Sequence, residues 1–458
     1  MQEEEKLSTY RRTGYAVAAL TAAALAVAGC SSSSSSSSAA SGGSASASAP
    51  AASGSSAPVS TASGSGGLGA QSVTNYLSYV GGKAGAANSS LPPVTIGYIN
   101  EQGDANPPGA LASDGAQMAV NYINKELGGI GGHPLKLDTC FTTTEEQGTT
   151  CADQFLANKS LPLIATGGVA VGAQSFFNTI AGKIPVIDGV AVTPFDAVAK
   201  NTVILFGDST HVLGPMGTYA TQVLHAKTAS VIYPQSPGIT PGALAIQAGL
   251  KAAGVNVTMA PYPAGSTNLT SVLAAAHAST ADMIVPYADA ASCVNLAKAL
   301  QQQGITDAKK IVSAPLCLSG TVIQGLGDFP KWTYSIASSL FGDTTDPGMP
   351  AYETVTKTYT KPANAPDPWE IVNFGEILTV AKVLNQVGYS NISQSSVIAA
   401  AKAFKGPQAL GAPSLNCGQF ASAPAVCNDQ AQFFEYNGKN SFSKVAGWTK
   451  PPASESGQ

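Results

Sequence analysis

The side chains able to do covalent or metal chemistry are few and dispersed. His133, His211, His225 and His277 are the only histidines, and none stands at helical spacing from a second metal ligand. No His-Glu-x-x-His pair, phosphate-loop Gly-Lys-Ser/Thr or Gly-x-Ser-x-Gly elbow occurs. Asp208-Ser209-Thr210-His211 holds the residue types of a hydrolytic triad, but neighbours in sequence seldom converge, and a hinge or helix start is expected there. No enzyme activity, metal or cofactor is therefore expected. The remaining chemistry is recognition: loops in which small, apolar and hydroxyl residues follow short apolar runs.

The elements that would position such loops are legible. Val94–Ile99, a Gly/Pro-rich loop, a helical stretch from Asp114 to Leu127 and the run Leu135–Leu137 form a βαβ unit. Ala116, Ala119, Val120, Ile123 and Leu127 recur on one helical stripe. Glycines 128, 129, 131 and 132 let the helix end in left-handed residues and turn at once into the next strand. Apolar runs alternate with helical segments from there to residue 338, broken at Gly207-Asp208-Ser209-Thr210 between two comparable sets. Helices over Tyr352–Tyr359, Trp369–Val387 and Ser395–Phe404 follow, then a loop and a closing hairpin around Asn437-Gly438.

Composition and address bound the function. With 44% hydrophobic residues, 11% charged and a formal net charge of -4, the chain is not a nucleic-acid binder. Lys6, Arg11 and Arg12 precede an apolar run, Tyr15–Val27, too short to span a bilayer comfortably. Its end, Leu25-Ala26-Val27-Ala28-Gly29-Cys30, resembles a bacterial lipobox, so residues 1–29 read as a lipoprotein signal peptide and Cys30 as the lipidated first residue. Residues 30–90, rich in Ser, Ala and Gly, read as a disordered tether.

The six cysteines beyond Cys30 are Cys140, Cys151, Cys293, Cys317, Cys417 and Cys427. Spacing leaves fifteen connectivities open. Sequential pairing is the expectation: Cys293 and Cys317 fall on neighbouring βα units, and the exported address favours bridges over free thiols.

The stretch Asn121-Tyr122-Ile123-Asn124-Lys125-Glu126-Leu127-Gly128-Gly129-Ile130-Gly131-Gly132-His133-Pro134-Leu135-Lys136-Leu137 resembles a hallmark of the extracytoplasmic solute-binding proteins for branched-chain amino acids. Leu163–Gly168 and Ile184–Asp188 extend the likeness. The resemblance implies an α/β fold of the type I periplasmic binding protein class, with two Rossmann-like lobes, parallel-rich sheets and three hinge crossings. Lobe one would be 91–209 with 343–431, lobe two 210–342 with 432–450, and 451–458 a tail. It also implies a monomer on the outer face of the cell membrane that delivers a small-molecule solute to the permease of an ABC importer. A surface sensor that signals to a receptor or kinase is the alternative, and a surface enzyme the remoter one.

Ligands of open α/β sheets sit beyond the carboxyl ends of the strands. That rule alone nominates 100–109 with Gln102, 168–172, 189–193, 235–240 with Ile239, 287–290 and 316–319. The resemblance narrows it. The family's hydroxyl-bearing turn becomes Gly168 and Val169, and its second turn Ala191, Val192 and Thr193, with valine at the central hydroxyl position. Tyr287 matches the aromatic position, and Leu316 stands where an ammonium-binding carboxylate is usual. A buried ammonium without a counter-charge is costly, so a less polar solute is expected: an amide-like, aromatic or short-chain organic molecule. Asp188, Glu101 and Asp289 are either displaced ligand carboxylates or helix caps. Leucine, isoleucine and valine should accordingly raise the melting temperature little. A shift of many degrees in leucine would overturn the reading of Val192 and Leu316.

Overall fold

The computed structural model describes residues 72–103, 109–236, 238–361 and 367–452. The signal peptide, Cys30, most of the tether and nearly all of the tail lie outside them. Among the described residues no helix is long and apolar enough to cross a membrane.

The first lobe opens with a short helix, α1 (Tyr76–Val80), and continues as β1 (Val94–Glu101), α2 (Gly109–Glu126), β2 (Leu135–Thr142), α3 (Glu145–Ala157), β3 (Ile164–Gly168), α4 (Ala173–Ile180), β4 (Val186–Asp188), α5 (Pro194–Ala197) and β5 (Thr202–Ile204). Its sheet has the order β2-β1-β3-β4-β5, all parallel. The expected stripe of α2 is buried, and the four glycines after it all take positive φ, from 58° to 93°.

The second lobe follows as α6 (Pro215–Gln222), β6 (Thr228–Gln235), α7 (Thr240–Ala252), β7 (Asn256–Pro263), α8 (Thr270–Ala275), β8 (Met283–Pro286), α9 (Ala290–Gln302), β9 (Val312–Ser313), α10 (Gly320–Leu326) and β10 (Thr333–Ile336). Pro215 lacks an N–H, so the segment after the first crossing divides into a 3-10 turn (His211–Leu213) and α6. The chain then returns to the first lobe with α11 (Met349–Tyr359), α12 (Pro368–Val387) and α13 (Gln394–Ala403), which share its core. It ends in the hairpin β11 (Ala431–Gly438) and β12 (Ser441–Thr449), antiparallel on β10. Sheets β7-β6-β8 and β12-β11-β10-β9 are joined by a bridge between Ile284 and Ile311.

Helix α12 is buried on almost every face because it lies between the sheet and its partner helices. A Cβ at Gly115 on α2 would overlap the Glu370 backbone, so glycine is what permits the close approach of α2 to α12. The disulfides pair sequentially, as expected: Cys140–Cys151, Cys293–Cys317 and Cys417–Cys427. In the chain-entropy model each closed loop of this size contributes about 3 kcal/mol.

Three expectations are corrected. Residues 72–90 are not tether throughout: Val73, Tyr76, Tyr79 and Val80 are buried in the first-lobe core. Tyr79 Oη is 3.0 Å from Thr379 Oγ1 and accepts from the Ala409 N–H at 3.2 Å, while Lys382 Nζ donates to the Tyr79 carbonyl at 3.0 Å. Composition hid this because four apolar side chains are diluted among Gly, Ala and Ser. The pattern also passes over α3, whose buried face is only Gly148, Cys151, Ala152 and Phe155. His133 is half-buried rather than exposed, stacked on Tyr389 with ring centroids 3.4 Å apart.

Tyr76 makes edge contacts with Tyr122 and Phe374 at centroid distances of 6.1 and 5.6 Å. Tyr76→Ala should therefore lower unfolding free energy by about 3 kcal/mol in urea titrations; a residue in a tether would leave the midpoint unchanged.

Candidate ligand-binding site

The nominated residues fall at the carboxyl tips of adjacent strands. In the first lobe Gln102, Gly168 and Val169, and Ala191 to Thr193 follow β1, β3 and β4, which are consecutive in the sheet. In the second, Ile239, Tyr287 and Leu316 follow β6, β8 and β9, which are consecutive through the Ile284–Ile311 bridge.

Their side chains are not equally available. Leu316 is 40% exposed on the 3-10 turn that the Cys293–Cys317 bridge ties to α9. Val192 and Thr193 are half-buried, and the Thr193 N–H donates to Asp196 Oδ2 at 2.8 Å. Gln102 Oε1 accepts from the Ser113 hydroxyl at 2.7 Å, which turns its side chain toward α2. Val169, Ala191 and Ile239 are buried in the cores of their own lobes. Tyr287 is also buried, its ring against Gly242 at the start of α7; burial, reinforced by the charge of Asp208, raises its phenol pKa.

The three acids in question resolve differently. Asp289 caps α9, with Oδ1 accepting from the Ser292 N–H at 3.0 Å. Glu101 Oε2 accepts the N–H groups of Ala170 and Val171, both at 2.9 Å. Asp188, the last residue of β4, is 2% exposed and accepts the Thr166 hydroxyl at 2.5 Å. It belongs to a buried group that the sequence did not disclose. Asp196 on α5 and Glu376 on α12 join it, and the Thr166 N–H donates to Glu376 Oε1 at 3.2 Å. Glu376 Oε2 lies against Gly189, where an added Cβ would come within 2.8 Å of it. The only signal for Glu376 was an acid inside the apolar run of α12. Among the described residues no group of His, Cys, Asp and Glu is arranged to hold a metal ion.

Asp208-Ser209-Thr210-His211 is a helix start, as expected. Asp208 Oδ1 accepts from the His211 N–H and lies 2.7 Å from its Nδ1.

The side chains that knit the expected hinge crossings together were not disclosed by the sequence motifs. Asn428 Nδ2 donates to the carbonyls of Phe206 and Gln430, each at 3.1 Å, and its Oδ1 accepts the Gln430 N–H at 3.0 Å. Gln432 Nε2 donates to the Ser338 carbonyl at 3.2 Å. All three chain crossings between lobes are thus linked. The clue was an alternation of amides, at 428, 430 and 432, where a buried strand would place one face.

Two α/β lobes whose chain crosses between them three times have the architecture of a solute-binding class of protein. A family profile described as "Periplasmic binding protein" matches residues 93–423, and the chain belongs to that family. The family is extracytoplasmic and binds small solutes. Comparison with curated proteins returns no match. Among solved structures, a leucine binding protein from Thermotoga maritima is similar at 14% identity, with 78% of this chain and 99% of that one covered and a TM-score of 0.60. A solute-binding protein from R. palustris in complex with 4-hydroxybenzoate shares 16% identity over 80% and 100% of the two chains, TM-score 0.61. A fatty acid ABC transporter substrate-binding protein from Thermomonospora curvata shares 15% over 81% and 95%, TM-score 0.59. At such identities the likeness establishes the fold alone.

Burial raises the pKa of Asp188 to about 7 against the pull of the Thr166 hydroxyl, and burial plus the charge of Asp188 raises those of Glu376 and Asp196. For acids raised in the folded state, the contribution to stability is intact at low pH and lost as pH rises through the folded value. Asp188→Asn should therefore be more stable than the wild type near pH 8, and the gap should narrow as pH falls below about 7 and close below the unfolded carboxyl value, about 3.8. Parallel stability curves in urea would contradict the assignment.

Proposed function

We propose that the chain is the substrate-binding component of an ABC-type importer, lipid-anchored through Cys30, that captures a small, weakly polar solute between its lobes. The observation that carries this reading is the pairing of strand tips. Three consecutive strands in each lobe end in loops, and these loops belong to separate sheets connected by three hydrogen-bonded crossings. A solute touching both tips favours the closed state by its differential affinity, and the closed state is what a permease can read. The neighbours named for leucine, 4-hydroxybenzoate and fatty acid support a fold that accommodates varied small molecules. The half-buried Val192 and exposed Leu316 favour an apolar body over an α-amino acid held by its ammonium.

Native mass spectrometry of the soluble part should show a co-purifying small molecule. Adding it back to stripped protein should contract the X-ray scattering curve, and superimposable curves would sink the cleft reading. Cys30→Ala should release the protein from the membrane fraction and abolish labelling by radioactive palmitate. Retention of both would remove the lipid anchor from the proposal.

A further inference from the structure

Helix N-termini that follow strand tips ordinarily present unpaired N–H groups, and an anion bound there is stabilised by them and by the helix dipole. In this protein the chain's own carboxylates hold such donors at the turns leading into α4, α5 and α9, whereas α7 and α10 have no side-chain cap. Glu101, 1% exposed at the tip of β1, takes the N–H groups of Ala170 and Val171 in the turn after β3. Glu145 takes the next two available at α4: Oε2 accepts from the Gly172 N–H at 2.9 Å and Oε1 from the Ser175 N–H at 2.7 Å. At α5 the Thr193 N–H goes to Asp196, and at α9 the Ser292 N–H goes to Asp289. A solute carboxylate brought to these turns would find the donors occupied and a like charge in its place.

The second observation is the distribution of cations. Both arginines of the chain are at positions 11 and 12, so the folded part has none. The tip loops 100–109, 168–172, 189–193, 235–240, 287–290 and 316–319 contain no lysine, arginine or histidine. Behind the first-lobe tips the side chains of Asp188, Asp196 and Glu376 are buried, and none of them is paired with a cation among the described residues.

We infer that the site rejects anions, that Glu101 is the specificity-determining residue, and that the solute carries an N–H donor head group, amide or ammonium, and no carboxylate or phosphate. This deepens the solute-binding reading and rests on it. The molecules for which three neighbours are named, leucine, 4-hydroxybenzoate and fatty acid, all contain a carboxyl group, which the solute of this chain would lack. In Glu101 an internal carboxylate does for the turn what a ligand's carboxylate would otherwise do.

The test uses matched head groups on two skeletons, with the full soluble chain stripped of co-purified solute: isovalerate, isovaleramide and isoamylamine, then benzoate, benzamide and benzylamine. Calorimetry should show the amide or the amine of a skeleton binding more tightly than its carboxylate, and the two non-anionic arms distinguish which donor is preferred. Glu101→Ala, by freeing two N–H groups and removing the charge, should raise carboxylate affinity by roughly tenfold or more. Wild-type protein that binds a carboxylate as tightly as its amide and amine overturns the inference, as does a folded Glu101→Ala protein with no gain. If Glu101→Ala does not fold, the wild-type comparison decides alone. If the wild type binds none of the six, the carboxylate gain in the variant decides. A co-purified anion would overturn anion rejection while leaving solute capture intact. Absence of any solute or closure would instead strike the solute-binding reading.

Discussion

The structure depends on satisfying backbone that belongs to neither sheet. Where a chain passes three times between lobes, its carbonyl and N–H groups leave one sheet before entering the next, and a buried polar group without a partner costs about 1–3 kcal/mol. Asn428 and Gln432, both essentially inaccessible, supply those partners, one to Phe206 on the first crossing and the other to Ser338 on the second. Amides suit the task because each carries donors and an acceptor without a charge to desolvate. The third crossing is further held to β5, where the Ile204 N–H donates to the Ala425 carbonyl and the Cys427 N–H to the Ile204 carbonyl, beside the Cys417–Cys427 bridge. Rotation of one lobe on the other therefore pivots about a knit strip rather than three independent threads, and the strand tips keep their order as they approach.

The electrostatics of the first lobe follow from one helix. Helix α12 lies deep because it packs against α1, α2, α13 and β3, and it carries Glu376 with it to the end of β4. Three carboxyl groups then share a space in which none of them meets water, and each is pushed toward its protonated form. The glycine at 189 is tied to the same fact, since any side chain there would press on Glu376.

The elements with strong periodicity were legible: the βα alternation, the stripe of α2, the glycine turn after it and the closing hairpin all form where the apolar pattern puts them. Those that failed to show were built from few apolar residues or from polar ones with distant partners. Helix α3 has one large apolar side chain, Phe155, on its buried face. The partner of Glu101 lies 69 and 70 residues away, and that of Asn428 lies 222 away, so no local rule connects them. The strand tips were found because their place follows from topology. Which side chains there face a solute was not, because Val169, Ile239 and Tyr287 turn into cores whose depth is set by helices elsewhere in the chain.

The entry of the chain into its folded part is tied to one lobe. Helix α1 is bound by Thr379, Lys382 and the backbone of Ala409, all of them first-lobe groups. The buried side chains Val73, Tyr76, Tyr79 and Val80 complete the same core that receives α2 and α12, so the segment just before β1 is part of the first lobe rather than a lead into it. The end of the folded chain meets that core as well: Trp448 on β12 is buried in it. The first-lobe core is thus closed by residues from both ends of the folded chain, which is why no single stretch of sequence displays it whole.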